Sequence, residues 1–167
     1  LGYPGGPAVS KAAEAGDSTA IAFPRPMLES GDFDFSFSGL KTAVAVYLRT
    51  RTSPCPSPFD GEGNVIVADV CASFQAAVVD VLVAKTMRAV EKFQPKSLLL
   101  AGGVSANKAL RDRLHGDFSP VGTFLAPDLS LTGDNAAMIA AAGYYRALRN
   151  DFTDPLTLVA DPNRELV

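Results

Sequence analysis

Histidine is almost missing from this chain: His115 is the only one in 167 residues. No His-Glu-x-x-His zinc helix exists, so the usual metalloprotease apparatus is excluded. Cysteine is scarce too. Cys55 falls in a Pro/Ser-rich stretch and Cys71 in a helical pattern. That spacing suggests neither a metal knuckle nor a disulfide framework, and the expected setting is a reducing cytoplasm. Charge of one sign is lacking, with 15 Lys and Arg against 18 Asp and Glu, a net charge of −3. A general polyanion trap is therefore excluded, and nucleic-acid contact would need a local basic patch or a partner protein. No charged-then-apolar leader and no apolar run of membrane-spanning length is predicted. Neither G-x-G-x-x-G nor G-x-x-x-x-G-K-[ST] occurs. The chain starts at Leu1 on a loop motif rather than at Met, and a fragment with its upstream part elsewhere is expected.

What is present is ample apolar material, 47% of the residues, enough for one domain or one lobe of a larger protein. The organising stretch is Leu98-Leu-Leu-Ala-Gly-Gly-Val-Ser-Ala-Asn107. A buried strand is expected over Leu98–Ala101, then Gly102-Gly103, then a helix from about Ser105. Two glycines between a strand and a helix N-terminus let a ligand approach the backbone without a Cβ in the way. Free N–H groups and the positive end of the helix dipole lie just beyond. For a bare Gly-Gly pair, an ordinary turn with a Ser cap is the commoner explanation.

The rest of the chain reads as alternating helices and short strands. Leu1–Pro7 has turn chemistry, and a short helix follows over Ala8–Ala15, ended by Gly16. Ser18–Pro26 is expected to be extended. The aromatic-polar alternation of Phe33–Ser38 predicts a half-buried strand. Leu40–Arg51 has helical spacing, with Lys41 in its first turn as a solvated cation. Residues 52–63 are Pro-, Ser- and Gly-rich and predict a loop, mobile over 53–63. Asn64–Gln94 predicts a central helix with Val70, Phe74, Val78 and Val81 on one apolar stripe. Asp69, Ser73 and Asp80 form a polar line on another side, expected to be exposed. Lys108–Leu114 continues a helix with Lys108, Arg111 and Arg113 exposed, and His115 caps its end. A second strand is expected over Val121–Ala126. A last helix follows, with Thr132 as cap, Asp134 and Asn135 in its first turn, and an alanine face (Ala136, Ala137, Ala140, Ala141) close to a neighbour. Acid at a helix start ordinarily complements the dipole, but it also lies where open α/β sheets hold their sites. A surface tail occupies 151–167.

Five stretches in order resemble one family: Pro4-Gly-Gly-Pro7, Phe23-Pro-Arg-Pro-Met27, Phe35-Ser-Phe-Ser-Gly-Leu-Lys-Thr-Ala-Val44, Gly102-Gly-Val-Ser-Ala-Asn107 and Asp134-Asn-Ala-Ala-Met-Ile-Ala140. The chain is similar to the C-terminal half of the TsaD family. These are tRNA threonylcarbamoyladenosine synthases, formerly described as O-sialoglycoprotein endopeptidases. The resemblance implies an α/β fold, one lobe of an actin-like ATPase (ASKHA, RNase H-like) architecture with several helices around a small sheet. It implies transfer of a threonylcarbamoyl group from threonylcarbamoyl-AMP to N6 of the adenosine 3′ to a tRNA anticodon. Nucleotide contacts would come from Gly6, Gly102, Gly103 and Asn107, and Asp134 would be a metal ligand, with iron or zinc as the metal. The partners implied are tRNA, TsaB-like and TsaE-like proteins and the N-terminal lobe, with no membrane. The setting implied is cytoplasmic or, for the full-length protein, organellar.

Two departures stand out. The family's His-x-x-x-His metal pair has no counterpart here, nor do the upstream Ser-Gly-Gly loop and Asp that also hold the nucleotide. Gly133 stands where the family usually has Thr. The chain alone is therefore expected to bind no metal tightly and to catalyse no transfer. Two alternatives remain at this point: a non-catalytic partner-binding lobe of the same superfamily, and the metalloendopeptidase of the family's older description.

Overall fold

The computed structural model describes residues 1–51 and 62–160, without the side chains of 50, 51 and 62–66. Two compact units emerge, Leu1–Thr132 and Gly133–Val167. The first holds helices α1 (Gly5–Ala13), α2 (Ser38–Arg51), α3 (Glu62–Phe93) and α4 (Lys108–Phe118), and strands β1 (Ser97–Leu99) and β2 (Thr123–Leu125). The second holds α5 (Ala136–Leu148). The strands pair in parallel, with Leu98 opposite Phe124, so the class is α/β with a small parallel sheet.

Everything in the first unit is laid on α3. Its apolar residues point several ways because three other helices and the sheet use them. Cys71 and Ala72 take Val9, Ala12 and Ala13 of α1. Val70 and Ala77 take Phe23 and Leu40. Val79 and Val83 take Leu110 and Leu114 of α4, with Leu98, Leu100 and Phe124 of the sheet packed alongside. By length and composition Val67–Phe93 is apolar enough to cross a membrane, which corrects the expectation of no such run. Half of its most apolar 18-residue window is buried inside the protein, as befits a central helix.

The chain crosses α3 closely after α1. A Cβ on Gly16 would stand 2.1 Å from the Ala68 carbonyl oxygen, so only glycine fits there. The expected polar line on α3 is not a solvated face. Asp69 accepts from the Asp17 N–H at 2.8 Å. Ser73, fully buried, accepts from the Ile21 N–H and donates to the Asp17 carbonyl. Asp80 holds the Arg25 guanidinium at 3.0 Å. All three fasten residues 17–25 onto the helix.

No strand forms over Phe33–Ser38, contrary to the alternation. Lys85 of α3 is 1% exposed, and its ammonium donates to Ser30 Oγ (2.8 Å), Asp32 Oδ1 (2.8 Å) and the carbonyls of Asp32 (3.3 Å) and Asp34 (2.6 Å). Arg88, one turn on, donates to the carbonyls of Leu28 and Ser30. Only the Asp34 carbonyl falls within 33–38; the others tie residues 28–32 to α3, so the approach to the expected strand is held by two cations and not by a neighbouring strand. The Lys85 hydrogen bond, with Ser30 beside it, holds the Asp32 carboxyl below the usual carboxylate range.

Other boundaries shift for local reasons. α1 starts three residues earlier than expected, with Pro7 in its first turn, where a missing N–H costs nothing. α3 already includes Glu62 and Gly63, and the remainder of the predicted loop, with Cys55, lies outside the described residues. Arg111 is half-buried rather than exposed, donating to the Ser105 and Pro127 carbonyls. In the second unit Asn135 caps α5 by accepting from the Met138 N–H at 2.9 Å, whereas Thr132 bonds the Leu129 carbonyl. Asp134 thus precedes the helix instead of lying in its first turn. The four alanines expected to meet a neighbour are exposed. Residues 151–160 are exposed and non-helical, and 161–167 lie outside the described residues.

Candidate functional site

The stretch after β1 does not run straight into a helix. Gly102 adopts φ +83°, a left-handed value that side chains rarely take. A 3-10 turn follows over Gly103–Ala106, and α4 begins only at Lys108. The cap is Asn107, whose Oδ1 accepts from the Leu110 N–H at 2.9 Å. Ser105, expected at the helix start, is fully buried in the 3-10 turn with its hydroxyl unpartnered.

This turn forms one wall of a cleft of about 1120 Å³. The opposite wall is α1 with Glu14 just past its end, and the floor is α3. Phe74, Val78, Val79 and Leu82 make that floor apolar. Among the expected site residues, Gly6, Gly103 and Asn107 all line the cleft, while Gly102 adjoins it through the turn it makes possible. A Cβ on Gly6 or Gly103 would meet nothing within 4 Å, so neither glycine is needed by protein packing. The first turn of α1 has no side-chain cap, which leaves its N–H groups to solvent or a ligand.

Asn107 does more than line the wall. Its Nδ2 donates to Ser10 Oγ on α1 (3.0 Å) and to Gln75 Oε1 on α3 (2.8 Å). One carboxamide therefore joins the three helices around the cleft. Gln75 and Ser10 were not singled out in the sequence. Their roles depend on a contact between residues 97 and 32 positions apart, which periodicity does not register. On the rim, Lys108 pairs with Asp112 at 2.6 Å, and Asp112 and then Glu14 push its ammonium above the ordinary lysine value.

Asp134 belongs to the second unit and is exposed, just before the α5 cap. Among the described residues no three His, Cys, Asp or Glu side chains come close enough to hold a metal ion. The next acid along the chain, Asp151, is paired with Arg146. His115 lies in the first unit, one turn before the end of α4, edge-on to Phe124. One carboxylate falls short of the three or four ligands that iron or zinc takes, so the described residues do not by themselves fit a resident metal.

A family model described as "TsaD: tRNA N6-adenosine threonylcarbamoyltransferase" matches residues 1–141. The chain belongs to the TsaD family. Curated relatives carrying the name tRNA N6-adenosine threonylcarbamoyltransferase agree with it. One from Desulfitobacterium hafniense is 51% identical over 167 residues, covering 99% of this chain and 47% of its own length. One from Moorella thermoacetica is 48% identical over 168 residues, covering 99% and 46%. One from Burkholderia cenocepacia is 51% identical over 148 residues, covering 87% and 42%. The chain thus spans somewhat under half the length of these TsaD relatives. The family match takes in both the cleft and Asp134.

Proposed function

We propose that this chain is the C-terminal part of an enzyme that moves a threonylcarbamoyl group from threonylcarbamoyl-AMP to N6 of the adenosine 3′ to a tRNA anticodon. The observation that carries the reading is the meeting of Gly6, Gly103 and Asn107 on one cleft, in a chain of this family. The whole protein would have the two-lobed actin-like fold, with the described helices and sheet in the second lobe. It would work on tRNA in the cytoplasm with TsaB-like and TsaE-like partners.

In this reading the adenylate lies on the floor of Phe74, Val78, Val79 and Leu82, which excludes water from one side. The open N–H groups at the start of α1 face its polar groups. N6 of the tRNA adenosine attacks the carbamoyl carbon. The new N6–C bond forms as the C–O bond to phosphate breaks; AMP leaves with the electron pair, and the surplus N6 proton passes to solvent. The contribution of this chain is position: holding a reactive acyl-adenylate in one orientation accounts for much of the barrier reduction in such transfers. Asp134 would supply one ligand of a metal whose other ligands lie in the remainder of the protein.

The test is incorporation of labelled threonine into unmodified tRNA in the presence of threonylcarbamoyl-AMP. The complete protein modifies the tRNA and this chain alone does not. Failure of the complete protein, with its TsaB-like and TsaE-like partners present, would overturn the reading.

A further inference from the structure

Arg111 turns its guanidinium on backbone and not on an acid. It is half-buried on α4, where its Nε donates to the Ser105 carbonyl and its Nη2 to the Pro127 carbonyl at 2.6 Å. Among the described residues no carboxylate pairs with it, whereas its helix neighbours Lys108 and Arg113 face Asp112, Asp117 and Asp80.

The two carbonyls belong to different loops. Ser105 lies in the 3-10 turn after β1, and Pro127 lies two residues past β2. The strands are parallel, so both loops leave the sheet at its carboxyl edge, where open α/β sheets hold their ligands. The first loop lines the cleft through Gly103, Val104, Ala106 and Asn107. The second runs through the 3-10 turn Leu129–Leu131 to Thr132, where the first unit ends. Sheet pairing reaches as far as the Leu100 N–H on the Leu125 carbonyl, at 2.9 Å. Past that bond each strand turns into its own loop, and the guanidinium bridges the two.

Ser105 depends on this bridge. It is fully buried, and its hydroxyl has no partner. Its N–H stays inside the turn, on the Gly102 carbonyl at 3.0 Å. Among the described residues the bond from Arg111 is therefore its one polar tie to anything outside the turn. A guanidinium suits the task, because Nε and Nη2 hold their two donors in a rigid fork that an ammonium lacks.

We propose that Arg111 is a positioning residue for the transfer: its fork clamps the loop after β1 to the loop after β2, so that both keep one geometry. The proposal rests on the transferase reading. Arg111 does not line the cleft and acts only through the loops it joins. In a reaction that depends on orientation, a misplacement of about 1 Å costs on the order of 100-fold in rate.

The experiment compares the complete protein with Arg111→Lys and Arg111→Met, by millisecond hydrogen–deuterium exchange and by transfer kinetics at saturating threonylcarbamoyl-AMP. Lysine keeps the charge but replaces the fork with a point donor, and methionine removes both bonds. Amide exchange at 103–107 and at 128–132 is expected to rise together, about tenfold in the lysine variant and more with methionine, while α3 is unchanged. The kcat per folded molecule is expected to fall about tenfold or more, with the KM for tRNA moving by less than about threefold. A merely structural role would lower the folded fraction and leave kcat per folded molecule as it was. If the methionine variant does not fold, the lysine variant supplies both readouts. Exchange that rises in one loop alone, or a kcat per folded molecule equal to that of the unsubstituted protein, would overturn the proposal. Absence of transfer by the unsubstituted protein would instead remove the transferase reading, and exchange alone would then decide whether the two loops are clamped.

Discussion

Lys85→Met is expected to destabilise the protein by about 3 kcal/mol, read as a shift in the urea midpoint at constant slope. Methionine matches the length and apolar stem of lysine, so little packing is lost. What is lost is the cation that four oxygens surround: Ser30 Oγ, Asp32 Oδ1 and the carbonyls of Asp32 and Asp34. Removing one partner of a buried charged cluster costs about 3–5 kcal/mol because the other groups stay behind unpaired. The lower end applies here, since the Asp32 side chain is 47% exposed and water can recover part of its interaction. The effect also depends on pH in a definite direction. The Asp32 carboxyl is held below its ordinary value, so its share of the stability is present above the usual carboxylate range. That share is lost as the pH falls through the depressed value. The gap between unsubstituted and variant protein therefore narrows below about pH 4. An unchanged midpoint at neutral pH would show that the 28–34 segment is held by something other than Lys85.

Glycine substitutions at the cleft should separate binding from folding. Gly6→Val and Gly103→Val add side chains where a Cβ meets nothing within 4 Å. Their unfolding free energies are expected to stay within about 1 kcal/mol of the unsubstituted protein, the range of ordinary exposed substitutions. Nucleotide affinity should fall by about 30-fold or more, roughly 2 kcal/mol, because the added methyls occupy space a ligand needs. Two other glycines serve as contrasts. Gly102→Val meets open space too, but its φ of +83° makes the cost one of backbone strain, on the order of 1–3 kcal/mol. Gly16→Val drives a side chain into the backbone of α3 at Ala68 and is expected to prevent folding. If Gly6→Val and Gly103→Val bind nucleotide normally, those two glycines belong to turns and not to a site.

The sequence was most informative where a signal is local. The apolar stripe of α3, the short strands and the Gly-Gly turn lie where neighbouring residues place them, but β1 is not the buried strand expected, since Leu98 is half-buried and Leu99 is 70% exposed. It misled where a distant partner decides. The alternation at Phe33–Ser38 is sound strand chemistry, but Lys85, about 50 residues away, takes the Asp34 carbonyl, and Arg88 ties the preceding residues Leu28 and Ser30 to α3. Asp69, Ser73 and Asp80 looked like a solvated face because the segment that covers them, 17–25, has no periodicity of its own. The helix after Gly103 was expected from Ser105, but the Asn107 side chain outcompetes it as a cap and moves the start to Lys108. Within the candidate site, the glycines and Asn107 were legible through family resemblance. Gln75 was not, because a lone glutamine in an apolar helix acquires meaning only from the carboxamide that turns it.

The most direct measurement is photolabelling of the complete protein with 8-azido-AMP, followed by mapping of the labelled peptides. Label in residues 5–14, 74–82 or 103–110, suppressed by excess AMP, is the predicted result, since those segments line the cleft. Label confined to other segments, in a protein that still modifies tRNA, would contradict the account.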